Sequence, residues 1–271
     1  MRIKPIKRGP AVSDEFGEEQ QEHSYEKRRR GIYLLPNLFT TGTLFAGFYA
    51  VLSAVEGNFL YAAIAIFLGM LTDALDGRVA RLTNTQSDFG REFDSLADMV
   101  TFGLAPALVM YQWSLHDLID YGRFGKQLAW TAAFFYAAMA ALRLARFNVL
   151  EPDKNEKGYF FGLPSPSAAA MTMGFVWVAH DFGVPGTGYM ALLSLAVTLA
   201  AGALMVADMI KYPNFKEIKF SERVPFTYVL VMVLVCLLIW FDPPRVLFAV
   251  FMVYVVAGPV LYVRNLLRGK S

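Results

Sequence analysis

The sequence predicts an all-α integral membrane protein, a bundle of about eight transmembrane helices, and three observations carry that prediction. The first is composition: of 271 residues, 56% are hydrophobic and 18% charged, and the mean hydropathy is +0.40. Soluble domains hold roughly 45–50% apolar and about 25% charged residues. The second is that the apolar excess is gathered into long runs, each near the ~20 residues a helix needs to cross a bilayer. The third is a group of four aspartates set between two of those runs.

Taken in order, residues 1–30 are polar, end in "YEKRRR" and contain no apolar stretch of a cleaved signal, so they read as a flexible cytoplasmic tail. The apolar segments fall at about 32–55, 59–82, 92–114, 127–149, 163–182, 187–209, 224–241 and 244–266. Residues 31–267 therefore form one transmembrane domain, without an internal repeat or a soluble second domain. Pro and Gly punctuate the connections, as in "DFGVPGTG" and "FDPP".

Basic residues orient the bundle. With Lys27-Arg28-Arg29-Arg30 inside, the inner connections carry Arg81, Arg91, Lys154, Lys157, Lys211, Lys216, Lys219 and Arg223, and the outer ones only Arg123, Lys126 and Arg245. Both termini are then cytoplasmic, in the cell (inner) membrane. Trp113, Trp130, Trp177 and Trp240 fall towards the outer ends, as an aromatic belt would. A net charge of +2 is too small to argue for a nucleic-acid partner. The lone Cys236, inside an apolar run, excludes disulfides and cysteine-ligated metals. His23 lies in the tail, and His116 and His180 read as interfacial residues rather than ligands.

Residues 73–98 read "DALDGRVARLTNTQSDFGREFDSLAD". An Asp at the centre of a span costs roughly 2.5–3.5 kcal/mol, so four deep and unpaired would cost on the order of 10 kcal/mol. They need a compensating cation, water or a polar cavity. Asp73 and Asp76, three apart at the end of span two, share a helix face with Gly77, Ala80 and Arg81; Asp94 and Asp98, four apart at the start of span three, share another, with Gly90 one turn earlier. Facing one another, the two faces make a set of carboxylate oxygens suited to hard divalent cations such as Mg²⁺ or Mn²⁺, at the cytoplasmic side. Two such metals would polarise a phosphoryl group, Gly77 and Ala80 would admit a base or phosphate to the backbone, and Arg81 would supply a phosphate fork. A proton relay or solvated helix-end cluster is the alternative.

The pattern D-x-x-D-G-x-x-A-R, eight residues, then G-x-x-x-D-x-x-x-D resembles the CDP-alcohol phosphotransferase signature at every fixed position. The resemblance implies a membrane enzyme that moves a phosphatidyl or similar group from a CDP-linked donor to an alcohol and releases CMP. It implies that Asp73, Asp76, Asp94 and Asp98 surround two divalent cations, that Gly77, Ala80 and Arg81 help to hold CDP, and that Asp98 is the base on the incoming hydroxyl. Gly90, Asn37 and Thr40 are assigned to the same CDP site, although threonines in spans also bond their own helix carbonyls. A homodimer is typical of the family.

Four further stretches, "SLADMVTFGLAPA", "LRLARFNV", "GLPSPSAAA" and "LMVADMIKYPNFK", are similar to the phosphatidylserine synthase branch. Ala207, Asp208 and Lys211 depart mildly from that pattern, where a serine, a hydrophobic residue and Arg are expected. The branch implies CDP-diacylglycerol and L-serine as substrates. Arg143 and Arg146, three apart at the inner end of span four, suit a serine carboxylate or a diphosphate, with Asn148, Ser165 and Ser167 as a polar wall. The plainer alternative makes the arginines snorkelling anchors and Pro164 and Pro166 a helix start. Phosphatidylinositol-phosphate, phosphatidylglycerophosphate and phosphatidylcholine synthases, and a cation or proton transporter, remain the competing functions.

Overall fold

A computed structural model describes residues 37–83, 87–149, 159–213 and 226–268. The N-terminal tail and the connections bearing Lys154, Lys157, Lys216, Lys219 and Arg223 lie outside the described residues. The chain runs through α1 (Asn37–Val55), α2 (Phe59–Thr83), α3 (Asp88–Asp98), a π-helical segment (Met99–Leu104) and α4 (Ala105–Trp113). A 3₁₀ segment (Leu115–Tyr121) leads into α5 (Gly122–Val149), then β1 (Tyr159–Phe161), α6 (Ser165–Asp181), α7 (Tyr189–Val206), β2 (Lys211–Pro213), α8 (Phe226–Phe241) and α9 (Pro243–Leu267).

Local chemistry starts and stops these helices. Ser87 is extended and its hydroxyl accepts the Gly90 amide, which caps α3, with Asp88 favourably placed in the first turn. Pro166 stands in the first turn of α6, where a missing N–H costs nothing. Gly122, at φ +78°, makes the left-handed turn from the 3₁₀ segment into α5.

Among the described residues, six helical stretches are long and apolar enough to cross a membrane: Asn37–Val55, Phe59–Val79, Asp88–Trp113, Leu115–Val149, Tyr189–Val206 and Pro243–Leu267. The protein is an integral membrane protein. Each of the eight expected apolar segments holds a helix among the described residues, but α6 has 17 residues and α8 has 16, so each rises only about 25 Å against a hydrocarbon core of about 30 Å. The bundle packs α6 along α9 and α2, and α5 along α7. Alanines predominate in its interior, among them Ala50, Ala62, Ala132, Ala169 and Ala201, beside larger side chains such as Phe102 and Tyr136, while Phe45, Leu71, Phe134 and Val253 face outward. That inversion of size suits a lipid solvent, where close backbone approach rather than hydrophobic burial binds helices.

A short strand pair departs from the all-helical expectation. β1 and β2 pair antiparallel, Phe160 opposite Tyr212, because "YFF" and "KYP" offer aromatic residues to an extended pair too short to show alternation in sequence. The ribbon fixes buried Tyr212, whose hydroxyl donates to the Val255 carbonyl at 3.0 Å and whose ring fills the space left by Gly258 of α9. Burial, then neighbouring Tyr254, push the Tyr212 phenol up to about 12, so it stays a neutral donor. At the other end of the bundle Arg245 clasps Asp181 at 2.8 Å and Asp242 at 2.6 Å and lies over the Phe182 ring, joining α6 to α9.

Candidate active site

The last turns of α2 and the length of α3 bring their acidic faces together. One carboxylate oxygen from each of Asp73, Asp76 and Asp94 lies within 4.8 Å of the others. Asp76 is buried and the other two are half-buried. Asp98 is within electrostatic reach of all three, and its Oδ1 is buried with no hydrogen-bond partner among the described residues. Buried carboxylate oxygens are costly unless a donor or cation meets them. This donor set fits a hard divalent ion, which prefers oxygen ligands.

The start of α1 closes the corner. Thr40 donates to Asp76 Oδ2 at 2.9 Å, whereas Thr41 and Thr43 donate to their own helix carbonyls, Asn37 O at 2.7 Å and Phe39 O at 3.2 Å. Thr41 and Thr43 thus bond their own helix as threonines in spans do, while Thr40 turns to the aspartate cluster. Asn37 stands beside Gly90: a Cβ there would lie 3.5 Å from Asn37 Oδ1 and 3.1 Å from Ser87 Oγ. A Cβ on Gly77 would meet nothing within 4 Å, so this position opens onto free space next to Asp76. Ala80 and Arg81 belong to the last turn of α2, and their side chains lie outside the described residues.

Arg143 of α5 also lies within electrostatic reach of Asp98, and of Tyr254 of α9. Its NH1 donates to the buried Ser165 Oγ at 3.0 Å, while its Nε is buried without a partner among the described residues. A guanidinium with an unused buried donor is fitted to an anionic guest. Arg146 is placed differently: it pairs with Asp208, both side chains about half exposed. Asn148 donates to Ser95 Oγ at 2.9 Å and ties the end of α5 to α3. Ser167 is half-buried in the first turn of α6.

A family model of the CDP-alcohol phosphatidyltransferases matches residues 33–207, a span containing every one of these expected site residues. The chain belongs to that family. Relatives of this phosphatidyltransferase include three proteins named CDP-diacylglycerol–serine O-phosphatidyltransferase. The one from Helicobacter pylori (strain ATCC 700392 / 26695) is 38% identical over 84% of this chain and 90% of its own. That from Methanocaldococcus jannaschii is 35% identical over 74% of this chain and 83% of its own. That from Bacillus subtilis (strain 168) is 34% identical over 68% of this chain and 92% of its own.

Three residues around the phosphatidyltransferase site escape a reading of the sequence alone. Tyr254 lies beyond the matched region and reaches Arg143 only because α9 packs along α6. Thr72 and Thr101 carry no acidic or basic signal, and their role is legible only from Thr43: Thr72 Oγ1 lies 2.8 Å from Thr43 Oγ1, and Thr101 Oγ1 donates to Thr43 O at 2.8 Å. Gly47 and Gly69, small residues inside apolar helices, are the available sequence hint of a close helix crossing there.

Proposed function

We propose that the chain transfers the phosphatidyl group of CDP-diacylglycerol to the hydroxyl of L-serine and releases CMP. The observation that supports this most is the neighbourhood of Asp98, where a buried carboxylate oxygen without a hydrogen-bond partner among the described residues lies within electrostatic reach of three further carboxylates and of Arg143. The activity named for the relatives, which match most of this chain, supports serine as the acceptor.

In this reading Asp73, Asp76, Asp94 and Asp98 hold two divalent cations, Mg²⁺ or Mn²⁺. Bound there, the cations supply charge neutralisation and polarisation of the diphosphate oxygens. Gly77 leaves room for the CDP moiety, with Gly90, Asn37, Thr40, Ala80 and Arg81 around it. Arg143, set by Ser165, holds the serine carboxylate, and Arg146, Asn148 and Ser167 line the approach. Asp98 takes the proton of the serine hydroxyl. The serine oxygen forms a bond to the β-phosphorus, the bond from that phosphorus to the CMP oxygen breaks, and the electron pair leaves with CMP. Eight spans put both termini and the site at the cytoplasmic side of the cell membrane. Residues 31–267 act as one transferase domain behind the 1–30 tail, in a homodimer.

An acceptor panel tests the proposal. Purified protein with CDP-diacylglycerol and, in turn, serine, glycerol phosphate, inositol phosphate and choline should form lipid product with serine alone. Efficient transfer to another acceptor, with none to serine, would overturn the substrate assignment and leave the family intact.

A further inference from the structure

Asp98 leads directly into the six-residue π segment, closed by the Ala105 amide donating to the Val100 carbonyl. A π turn takes one residue more than an α turn, so the helix beyond it is rotated by roughly 100° from an uninterrupted one. That rotation lets α3 point carboxylates toward α2 while α4 buries most of its residues in the bundle. A rotation of this kind persists only if neighbours hold it.

Thr101, fully buried in the middle of the segment, is held from α1 and α2. Its Oγ1 donates to Thr43 O at 2.8 Å. A Cβ on Gly47 would stand 2.5 Å from that Oγ1 and 2.7 Å from the Thr101 Cα, and one on Gly69 would stand 2.8 Å from its Cγ2. On the opposite side, Tyr136 of α5 donates to the Phe102 carbonyl at 3.2 Å and Gly103 lies against Ala140. From Thr101 the contacts lead to the other two aspartates. Thr43 Oγ1 lies 2.8 Å from Thr72 Oγ1, the neighbour of Asp73, and Thr40, one turn back on α1, reaches Asp76.

We propose that Thr101 is a positioning residue for the aspartate cluster: its side chain, pegged between Gly47 and Gly69 with the hydroxyl bonded to the Thr43 carbonyl, fixes the rotation of α3 that presents Asp94 and Asp98 to Asp73 and Asp76. The inference rests on the cluster being a cation site. It predicts that cation affinity depends on a hydroxyl that touches neither cation nor substrate.

The test titrates Mn²⁺ alone into full-length purified protein and follows bound ion by electron paramagnetic resonance. Thr101→Val keeps the shape and removes the donor, and should weaken Mn²⁺ binding by about 10-fold or more, the size seen when a group that orients metal ligands is lost. Thr101→Ser keeps the donor and should restore wild-type affinity. At saturating Mn²⁺ the serine KM of the Val variant should be unchanged, which general loosening of the bundle would not predict. Thr101→Ala, which relieves crowding, should show the same loss of affinity if the Val variant does not fold. Wild-type Mn²⁺ affinity in a folded Val or Ala variant overturns the inference. Asp94→Asn separates the two claims: unaltered Mn²⁺ binding in that variant removes the cation site itself.

Discussion

At the scale of single residues, the site divides into groups that act on the reaction and groups that make room for it. Asp98→Asn removes the base but keeps shape, so CMP release should fall by roughly 10²–10⁴, the range general bases contribute, while CDP-diacylglycerol binding persists. Parallel turnover and lipid-binding measurements decide this; a variant with wild-type turnover takes the role from Asp98. Gly77→Ala makes the opposite separation. Its added Cβ meets nothing in the protein, and Ala favours helix by about 1 kcal/mol, so the thermal midpoint should hold or rise. The KM for CDP-diacylglycerol should nonetheless increase, because the space is taken from the ligand. An unchanged KM would remove Gly77 from the nucleotide site. The two arginines differ by their partners. Arg143 keeps a buried free donor whereas Arg146 is engaged by Asp208, so Arg143→Ala should raise the serine KM far more than Arg146→Ala. Serine titrations at fixed donor measure both.

At the scale of elements, legibility in the chain tracks the strength of the local signal. The aspartate faces of α2 and α3 are legible because a three- or four-residue spacing fixes a helix face whatever the tertiary context. Helix existence is legible for the same reason that membrane spans are: backbone groups in lipid must be satisfied within the helix. The π segment after Asp98 is not, since "MVTFGL" has the composition of an ordinary span and its geometry comes from Thr101 and Tyr136 partners far away in sequence. Nor is the β1–β2 ribbon, whose purpose becomes visible only where Tyr212 meets Gly258. That contact gives an element-scale prediction. Gly258→Ala forces the Tyr212 ring aside and should cost about 1–3 kcal/mol, the usual cost of overpacking. Thermal unfolding in detergent should show a lowered midpoint, and an unaltered midpoint would mean that the ribbon and α9 yield freely.

At the scale of the whole molecule, composition announces a membrane bundle, and the structure supplies its packing logic, with small residues inside and large apolar residues facing lipid. The positive-inside reading adds a direction. In a Cys236→Ser background, an impermeant maleimide applied to intact cells should label Arg123→Cys and spare Lys154→Cys. The reverse pattern would put the carboxylates at the outer face, away from a cytoplasmic nucleotide. The central claim is that the converging aspartates form a cation-dependent phosphatidyl-transfer site. Its most direct measurement is CMP release by the purified protein from CDP-diacylglycerol with serine, before and after chelation. CMP and phosphatidylserine should form in equal amounts, both abolished by chelator and both restored by Mg²⁺ or Mn²⁺. Undiminished CMP release in chelator, or cation flux across sealed vesicles with no CMP formed, would contradict it.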